Sequence, residues 1–205
     1  MKAVQAEKKF RDMSDAMRAS GYIEKAATIS QTRAMLVGLL CALPFAAAFG
    51  AVYRLALIDR AHLSYTGGLY FYAMFAGIII ASAFAHELLH GLGWAIASGK
   101  GWGAVRFNIN AMMPSCACTA PLGRGQYIAG VLAPFVLLGS GSVVFMFVYP
   151  GTASVLTMLV NFLLAGADLL IAFKALRERG ALIVDHPTQA GYVAFYGREL
   201  SLIHI

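Results

Sequence analysis

Apolar residues in this chain fall into four long runs separated by shorter polar segments. Each run reaches or exceeds the roughly 20 residues that a helix needs to cross the hydrocarbon core of a bilayer. The predicted spans are residues 34–57, 69–98, 127–149 and 152–173. This pattern predicts an all-α membrane protein with four transmembrane helices.

Two polar segments carry patterns of their own. Near the N-terminus, Phe10, Met13 and Met17 recur at helical spacing beside basic residues. This predicts an interfacial helix over residues 5–20 that lies on the membrane surface, with a flexible solvated tail as the alternative. Between the second and third spans, apolar and polar residues alternate in VRFNIN, and a turn then leads into CACTA. That period of two predicts a short β-hairpin.

These elements divide the chain into a cytoplasmic and interfacial segment, a membrane-embedded domain, a cytoplasmic tail and a short ending. The four parts are residues 1–33, 34–179, 180–199 and 200–205. The ending, LSLIHI, resembles a translated transposon end from sequencing libraries, and we expect it to be an artefact. Because the first apolar run follows more than thirty mostly polar residues, we expect a retained span and not a signal peptide.

Composition and charge agree with a membrane location. Of the 205 residues, 60% are hydrophobic and 13% are charged, which is far from the balance of a soluble domain. All of the 16 lysines and arginines except Arg54 and Arg60 fall on one side of the predicted membrane, so the positive-inside rule places both termini in the cytoplasm. The net charge of +6 then indicates topology and attraction to membrane lipids. No DNA- or RNA-binding pattern accompanies it, and nucleic acid is not an expected partner.

The second predicted span contains AFAHELLHGLGW, which sets three ionisable residues in an apolar run. On a helix, His86 and His90 project from one face one turn apart, and Glu87 lies beside the first of them. This HExxH pattern suits zinc, because two imidazoles supply nitrogen ligands and the carboxylate can reach a zinc-bound water. Ionisable residues inside a bilayer are unfavourable unless partnered, so we favour a metal site over polar residues that merely hold helices together.

The predicted third ligand is Asp168, because it is the only acid in a predicted span besides Glu87. It lies six residues before Lys174, or about 9 Å along a helix, whereas His90 lies ten residues before Lys100, or about 15 Å. Both therefore fall in the cytoplasmic half of the bilayer. Because the second and fourth spans run in the same direction, their cytoplasmic ends can meet around one zinc ion.

Other polar residues are weaker candidates. Asn161, two helical turns before Asp168, is predicted to point toward the same cavity or to form an interhelical hydrogen bond. Asn108 and Asn110 are candidate substrate-binding residues, because a free edge of the hairpin could pair with an extended peptide; a hairpin that only packs over helix ends is the alternative. The remaining candidates for a metal are His62, His186, Cys116 and Cys118. We interpret the two cysteines first as small packing residues with free thiols.

Four stretches, HELLHGLGWAIASGK, PLGRGQYIAGVLAPF, NFLLAGADLL and LIVDHPTQAGYVAF, together resemble the putative zincin peptidase family of bacterial membrane proteins over roughly residues 70–196. The chain resembles more distantly the site-2 proteases, which are intramembrane zinc metalloproteases completed by an aspartate on a later helix. The resemblance implies that His86, His90 and Asp168 bind Zn²⁺ and that Glu87 is the catalytic glutamate. It also implies a multi-pass protein of the bacterial inner membrane.

The chain departs from the site-2 pattern near its aspartate. Asn161 and Asp168 bracket FLLAGA, which contains no proline, and Leu169 follows where site-2 proteases have glycine. The predicted function is a membrane-embedded zinc metalloprotease that cleaves peptide bonds near the cytoplasmic face, with Glu87 as general base. The expected substrate is a peptide or a membrane protein. The alternative is a non-catalytic zinc-binding membrane scaffold or an ion carrier.

Overall fold

The computed structural model describes residues 2–60, 68–110 and 113–197, so that His62 and the ending at 200–205 lie outside the described residues. The helices are α1 (Lys2–Ala19), α2 (Gln31–Val52), α3 (Leu69–Ser98), α4 (Arg124–Pro134), α5 (Ser140–Val148) and α6 (Thr152–Ala175). The strands are β1 (Ile23–Ile29), β2 (Val105–Asn110), β3 (Met113–Cys118), β4 (Leu122–Gly123), β5 (Leu182–Asp185) and β6 (Ala190–Tyr196).

Within the described residues, four helical segments are long and apolar enough to cross a membrane, which confirms the predicted fold class. They are Thr32–Leu57, Leu69–Ser98, Arg124–Val148 and Thr152–Ala175. The third combines α4 and α5 through π-helical residues Phe135–Gly139, which follow Pro134, a residue that cannot donate a helical hydrogen bond. Leu40 and Val144 are 64% and 60% exposed, as expected where lipid covers the helix bundle. These features are compatible with a multi-pass membrane protein.

Small residues bring α2 and α6 into backbone contact. A Cβ atom on Gly38 would lie 2.8 Å from the backbone nitrogen of Ala167, and a Cβ on Gly166 would overlap the carbonyl of Gly38. Glycine is therefore required at this crossing, as is common where membrane helices pack closely. This contact between α2 and α6 lies directly beside Asp168, because Gly166 and Ala167 precede it in the helix.

In the part of the chain that the structure describes, the polar segments form two antiparallel sheets. β2 and β3 pair antiparallel, with Phe107 opposite Cys116, so a second strand follows VRFNIN as predicted. That strand begins at Met113, before the predicted CACTA segment, and ends at Cys118. The other sheet has the strand order β1-β6-β5-β4 and is absent from the sequence prediction. It brings the segment before the first span together with the segment after the fourth, because β1 pairs with β6.

α1 covers one face of the four-stranded sheet, so the N-terminal segment is a helix and not a flexible tail. Its apolar side chains Phe10, Met13 and Met17 pack against the buried residues Val184, Val193 and Phe195. The residues that predict a membrane-surface helix thus contact protein. The opposite face of the sheet packs against the ends of the membrane helices through Ile183, Tyr192, Ala194, Tyr127 and Ala175.

Candidate metal centre

α3 presents both histidines of the HExxH pattern to the interior of the bundle. His86 and His90 are each 5% exposed, one helical turn apart on the same face. Their Nε2 atoms lie 3.1 Å from each other. The helix therefore points two nitrogen ligands at one location.

α6 brings Asp168 to the same location. Its Oδ2 atom lies 3.0 Å from Nε2 of His86 and 3.4 Å from Nε2 of His90. The meeting follows from topology, because α3 and α6 are the second and fourth spans and reach the same side of the membrane. Within the described residues, these three side chains form the group whose ligand atoms are close enough to hold one metal ion.

The spacing of the three atoms fits a tetrahedral zinc site. Zinc bonds of about 2.0–2.1 Å to nitrogen and 2.0–2.2 Å to oxygen place neighbouring ligand atoms about 3.3 Å apart. The three observed separations, 3.0, 3.1 and 3.4 Å, lie around that value. Among the described residues, Asp168 Oδ2 accepts no well-formed hydrogen bond despite its two imidazole neighbours. A buried carboxylate oxygen that faces two nitrogen atoms without a proper donor is a position suited to a cation.

α4 orients one of the two imidazoles. Nδ1 of His90 lies 3.0 Å from the carbonyl oxygen of Gly130, to which it can donate a proton while Nε2 keeps its lone pair for a metal. Ligating histidines commonly have such a partner. Nδ1 of His86 is also buried but has no hydrogen-bond partner in the described part of the chain. The histidine that α4 holds is therefore His90.

Two glycines allow α3 and α4 to approach closely enough for this hydrogen bond. A Cβ atom on Gly93 would lie 2.8 Å from Cα of Gly130, and a Cβ on Gly130 would overlap the indole of Trp94. Trp94 in turn stacks on His90 with ring centroids 5.2 Å apart. Because the Gly130 partner is a backbone carbonyl, no side-chain pattern in the sequence could have identified it.

The hairpin holds the glutamate of the motif. The backbone N–H of Cys116 in β3 donates a hydrogen bond of 2.5 Å to Oε2 of Glu87. Gly91, one turn further along α3, lies beneath the hairpin, since a Cβ there would meet the ring of Phe107 at 2.5 Å. One carboxylate oxygen is thus fixed by the hairpin, and the other remains for chemistry.

The thiols in the hairpin lie in surroundings that favour their neutral form. Burial and the nearby Glu87 raise the pKa of Cys116 well above its usual range, and burial raises the pKa of Cys118 to about 12. Both shifts favour the neutral thiol, and neither cysteine belongs to the metal group of the described residues. Cys118 is buried and Cys116 is half-buried, and both are free, which agrees with their interpretation as small packing residues with free thiols.

The predicted substrate-binding residues lie on α6 and in β2. Asn161 is buried on α6, and its Oδ1 has no partner among the described residues, which leaves it available to a bound group. Asn108 lies in β2, on the face opposite Phe107 because side chains alternate along a strand, and Asn110 is the last residue of that strand. His186 accepts hydrogen bonds from the backbone N–H groups of Thr188 and Gln189 in a turn and is not part of the metal group.

Comparison with known proteins gives one match. The model of a family described as "Putative zincin peptidase" matches residues 79–181, half of the chain. No curated protein and no solved structure matches. The matched range contains all three members of the metal group together with Glu87.

Proposed function

The chain belongs to the putative zincin peptidase family, and we propose that it is a membrane-embedded zinc metallopeptidase that hydrolyses peptide bonds near the cytoplasmic membrane face. The observation that carries this proposal is the convergence of His86, His90 and Asp168 beside a glutamate held by the hairpin. Three protein ligands leave a fourth position open, which is the arrangement of catalytic rather than structural zinc sites.

The roles of the residues follow from their positions. His86, His90 and Asp168 would hold the metal, with the imidazole of His90 oriented by the Gly130 carbonyl. Zinc, when bound, would supply a Lewis acid that polarises a peptide carbonyl and makes water more acidic. Glu87 would accept the proton of the attacking water and deliver it to the leaving amine nitrogen. The Cys116 N–H would keep the Glu87 carboxylate in place during both transfers.

The proposed substrate is a peptide or membrane protein that reaches the site from the cytoplasmic side. This placement is supported by the excess of lysine and arginine at both termini and by the position of Asp168 near the end of α6. An extended substrate segment could pair with the outer edge of β2, whose residues Phe107 and Ile109 are 47% and 63% exposed. Asn161 and the hairpin asparagines Asn108 and Asn110 remain the proposed contacts to substrate, and lipids surround the spans.

Glu87→Gln separates catalysis from metal binding. The amide keeps the size of the carboxylate but cannot accept the proton, so we expect peptide hydrolysis to fall about 10²–10⁴-fold. Zinc content should stay at the wild-type level, because Glu87 is not a member of the ligand group. The measurement is cleavage of a peptide library by purified protein in detergent, with zinc determined on the same samples.

The outcomes of that experiment distinguish the proposed enzyme from its alternatives. Cleavage that survives Glu87→Gln would remove Glu87 as the general base. Zinc without any cleavage by the wild type would favour a non-catalytic zinc-binding scaffold. A matched control is Glu178→Gln, which alters another buried glutamate outside the metal group and should leave cleavage unchanged.

A further inference from the structure

Two carboxylates hold the outer edge of β3. Glu87 Oε2 accepts the N–H of Cys116 at 2.5 Å, and Asp185 Oδ2 accepts the N–H of Cys118 at 2.7 Å. These two N–H groups point the same way, because they are two residues apart in a strand. They also point away from β2. In an antiparallel ladder, hydrogen-bonded and non-hydrogen-bonded residue pairs alternate. The Thr119 N–H donates to the Ala104 carbonyl, so the next pair, which contains Cys118, is a non-hydrogen-bonded one, and so is the pair that contains Cys116.

Asp185 is itself firmly placed. It ends β5, and its Oδ1 accepts a hydrogen bond of 2.5 Å from the hydroxyl of Tyr127 on α4. Tyr127 is fully buried, and its backbone carbonyl accepts the indole N–H of Trp94 at 3.1 Å. Hydrogen bonds to an ionised carboxylate are among the stronger ones in proteins. The four-stranded sheet and α4 thus both anchor the carboxylate that holds β3.

We propose that Asp185 is a positioning residue for the general base: it fixes β3 at Cys118 so that the Cys116 N–H holds Glu87 in its reactive orientation. This inference rests on the proposed function. The hydrogen bond at Cys116 fixes the outer edge of β3 at one point, and a second bond about 6.8 Å away along the strand also fixes the direction of that edge. Asp185 lies beyond residue 181, where the family match ends, and it is not in the metal group.

A displaced base has a measurable effect on catalysis. Misplacement of a catalytic group by about 1 Å can lower a rate about 100-fold. We therefore expect Asp185→Ala to lower kcat about 10- to 100-fold, with KM changed less than about 3-fold and zinc content unchanged. Asp185→Asn keeps one acceptor oxygen for the Cys118 N–H, and it should restore most of the lost kcat.

The double variant Glu87→Gln with Asp185→Ala tests whether Asp185 acts through Glu87. If it does, adding Asp185→Ala to Glu87→Gln costs no further activity, because there is no base left to position. Independent, multiplying losses would overturn the proposal. Glu178→Gln is the matched control for general destabilisation, and it should not lower kcat.

Hydrogen exchange supplies a readout that needs no peptidase activity. In zinc-loaded protein, Asp185→Ala should speed exchange of the Cys116 and Cys118 amides at least about 10-fold, while Glu178→Gln leaves them protected. Unchanged exchange at both amides would overturn the proposal. If the wild type cleaves no peptide, the proposed function fails, and exchange alone still decides whether Asp185 fixes β3 and its bond to Glu87.

Discussion

Asp168 and Glu178 are two carboxylates on the same side of the bundle, one inside α6 and one just beyond its end. Their side chains are only 14% and 6% exposed. Glu178 accepts hydrogen bonds from the hydroxyls of Tyr192 and Tyr196 and lies 3.3 Å from Nζ of Lys25. Asp168 instead faces the nitrogen atoms of two imidazoles.

The difference in their neighbours distinguishes a carboxylate that links structural elements from one that can bind a metal. Buried charge is tolerated when donors surround it, and at Glu178 those donors join β1 and β6 to the end of the last span. At Asp168 the neighbours are potential ligands, so a cation completes the arrangement. Burial of an acid alone therefore does not identify a functional site, whereas the chemistry of its neighbours does.

Removing Asp168 should have the largest effect on metal binding. Asp168→Ala deletes one of three ligands, and we expect zinc affinity to fall more than about 100-fold, beyond the loss typical of outer partners. Glu178→Gln should leave affinity unchanged. Competition against a chelator measures both, and equal affinity in Asp168→Ala and wild type would exclude Asp168 from the site.

A mutation at the crossing of α3 and α4 should have a smaller effect. Gly130→Ala introduces a Cβ that overlaps Trp94, which would separate the helices and weaken the bond from His90 to the Gly130 carbonyl. We expect a loss of about 1–3 kcal/mol in stability and about 10-fold in zinc affinity. Gly125→Ala on the same helix meets open space and is the control. Equal behaviour of the two variants would contradict the close-contact account.

Glu178→Gln should destabilise the fold without affecting the metal. The amide replaces one acceptor oxygen with a donor, so one of the two tyrosine hydroxyls can no longer donate to residue 178, and the negative charge beside Lys25 is lost. We expect a loss of about 1–2 kcal/mol, measured by thermal unfolding of zinc-free protein. A fall in zinc affinity would show that the two carboxylates are coupled.

The smallest expected effect is a change in how stability depends on pH, and it concerns Asp185. Burial raises the pKa of Asp185 to about 6 despite the hydrogen bonds from Tyr127 and Cys118. The folded state then binds a proton more tightly than the unfolded state, so stability falls as pH rises from about 4 to about 6. Relative to Asp185→Asn, wild type should be about 1 kcal/mol less stable at pH 7 than at pH 5. A pH-independent difference would contradict this.

The sequence was informative about the membrane spans because length and hydropathy alone decide them. The predicted second span, residues 69–98, coincides with α3, and the others differ by three residues or fewer at each end. The meeting of His90 with Asp168 was also predictable, because topology and depth constrain two helices that run the same way. In each case the physical cause is local along the chain or fixed by the bilayer.

The four-stranded sheet could not be predicted in the same way. Its strand β6 is buried on both faces, so AGYVAFY shows no alternation, and β1 pairs with it across most of the sequence. The roles of the Gly130 carbonyl and of the Cys116 N–H depend on backbone groups, which every residue has. Asp185 lies in the stretch LIVDHPTQAGYVAF, but only the fold shows that it accepts hydrogen bonds from the Cys118 N–H and the Tyr127 hydroxyl.

The most direct test of the central claim is the metal content of purified protein. The arrangement of His86, His90 and Asp168 predicts close to one zinc ion per chain in the wild type. Glu87→Gln should retain that zinc, and His86→Ala should lose it. A wild type that binds no zinc after incubation with the metal, or a His86→Ala variant that retains a full equivalent, would contradict the account.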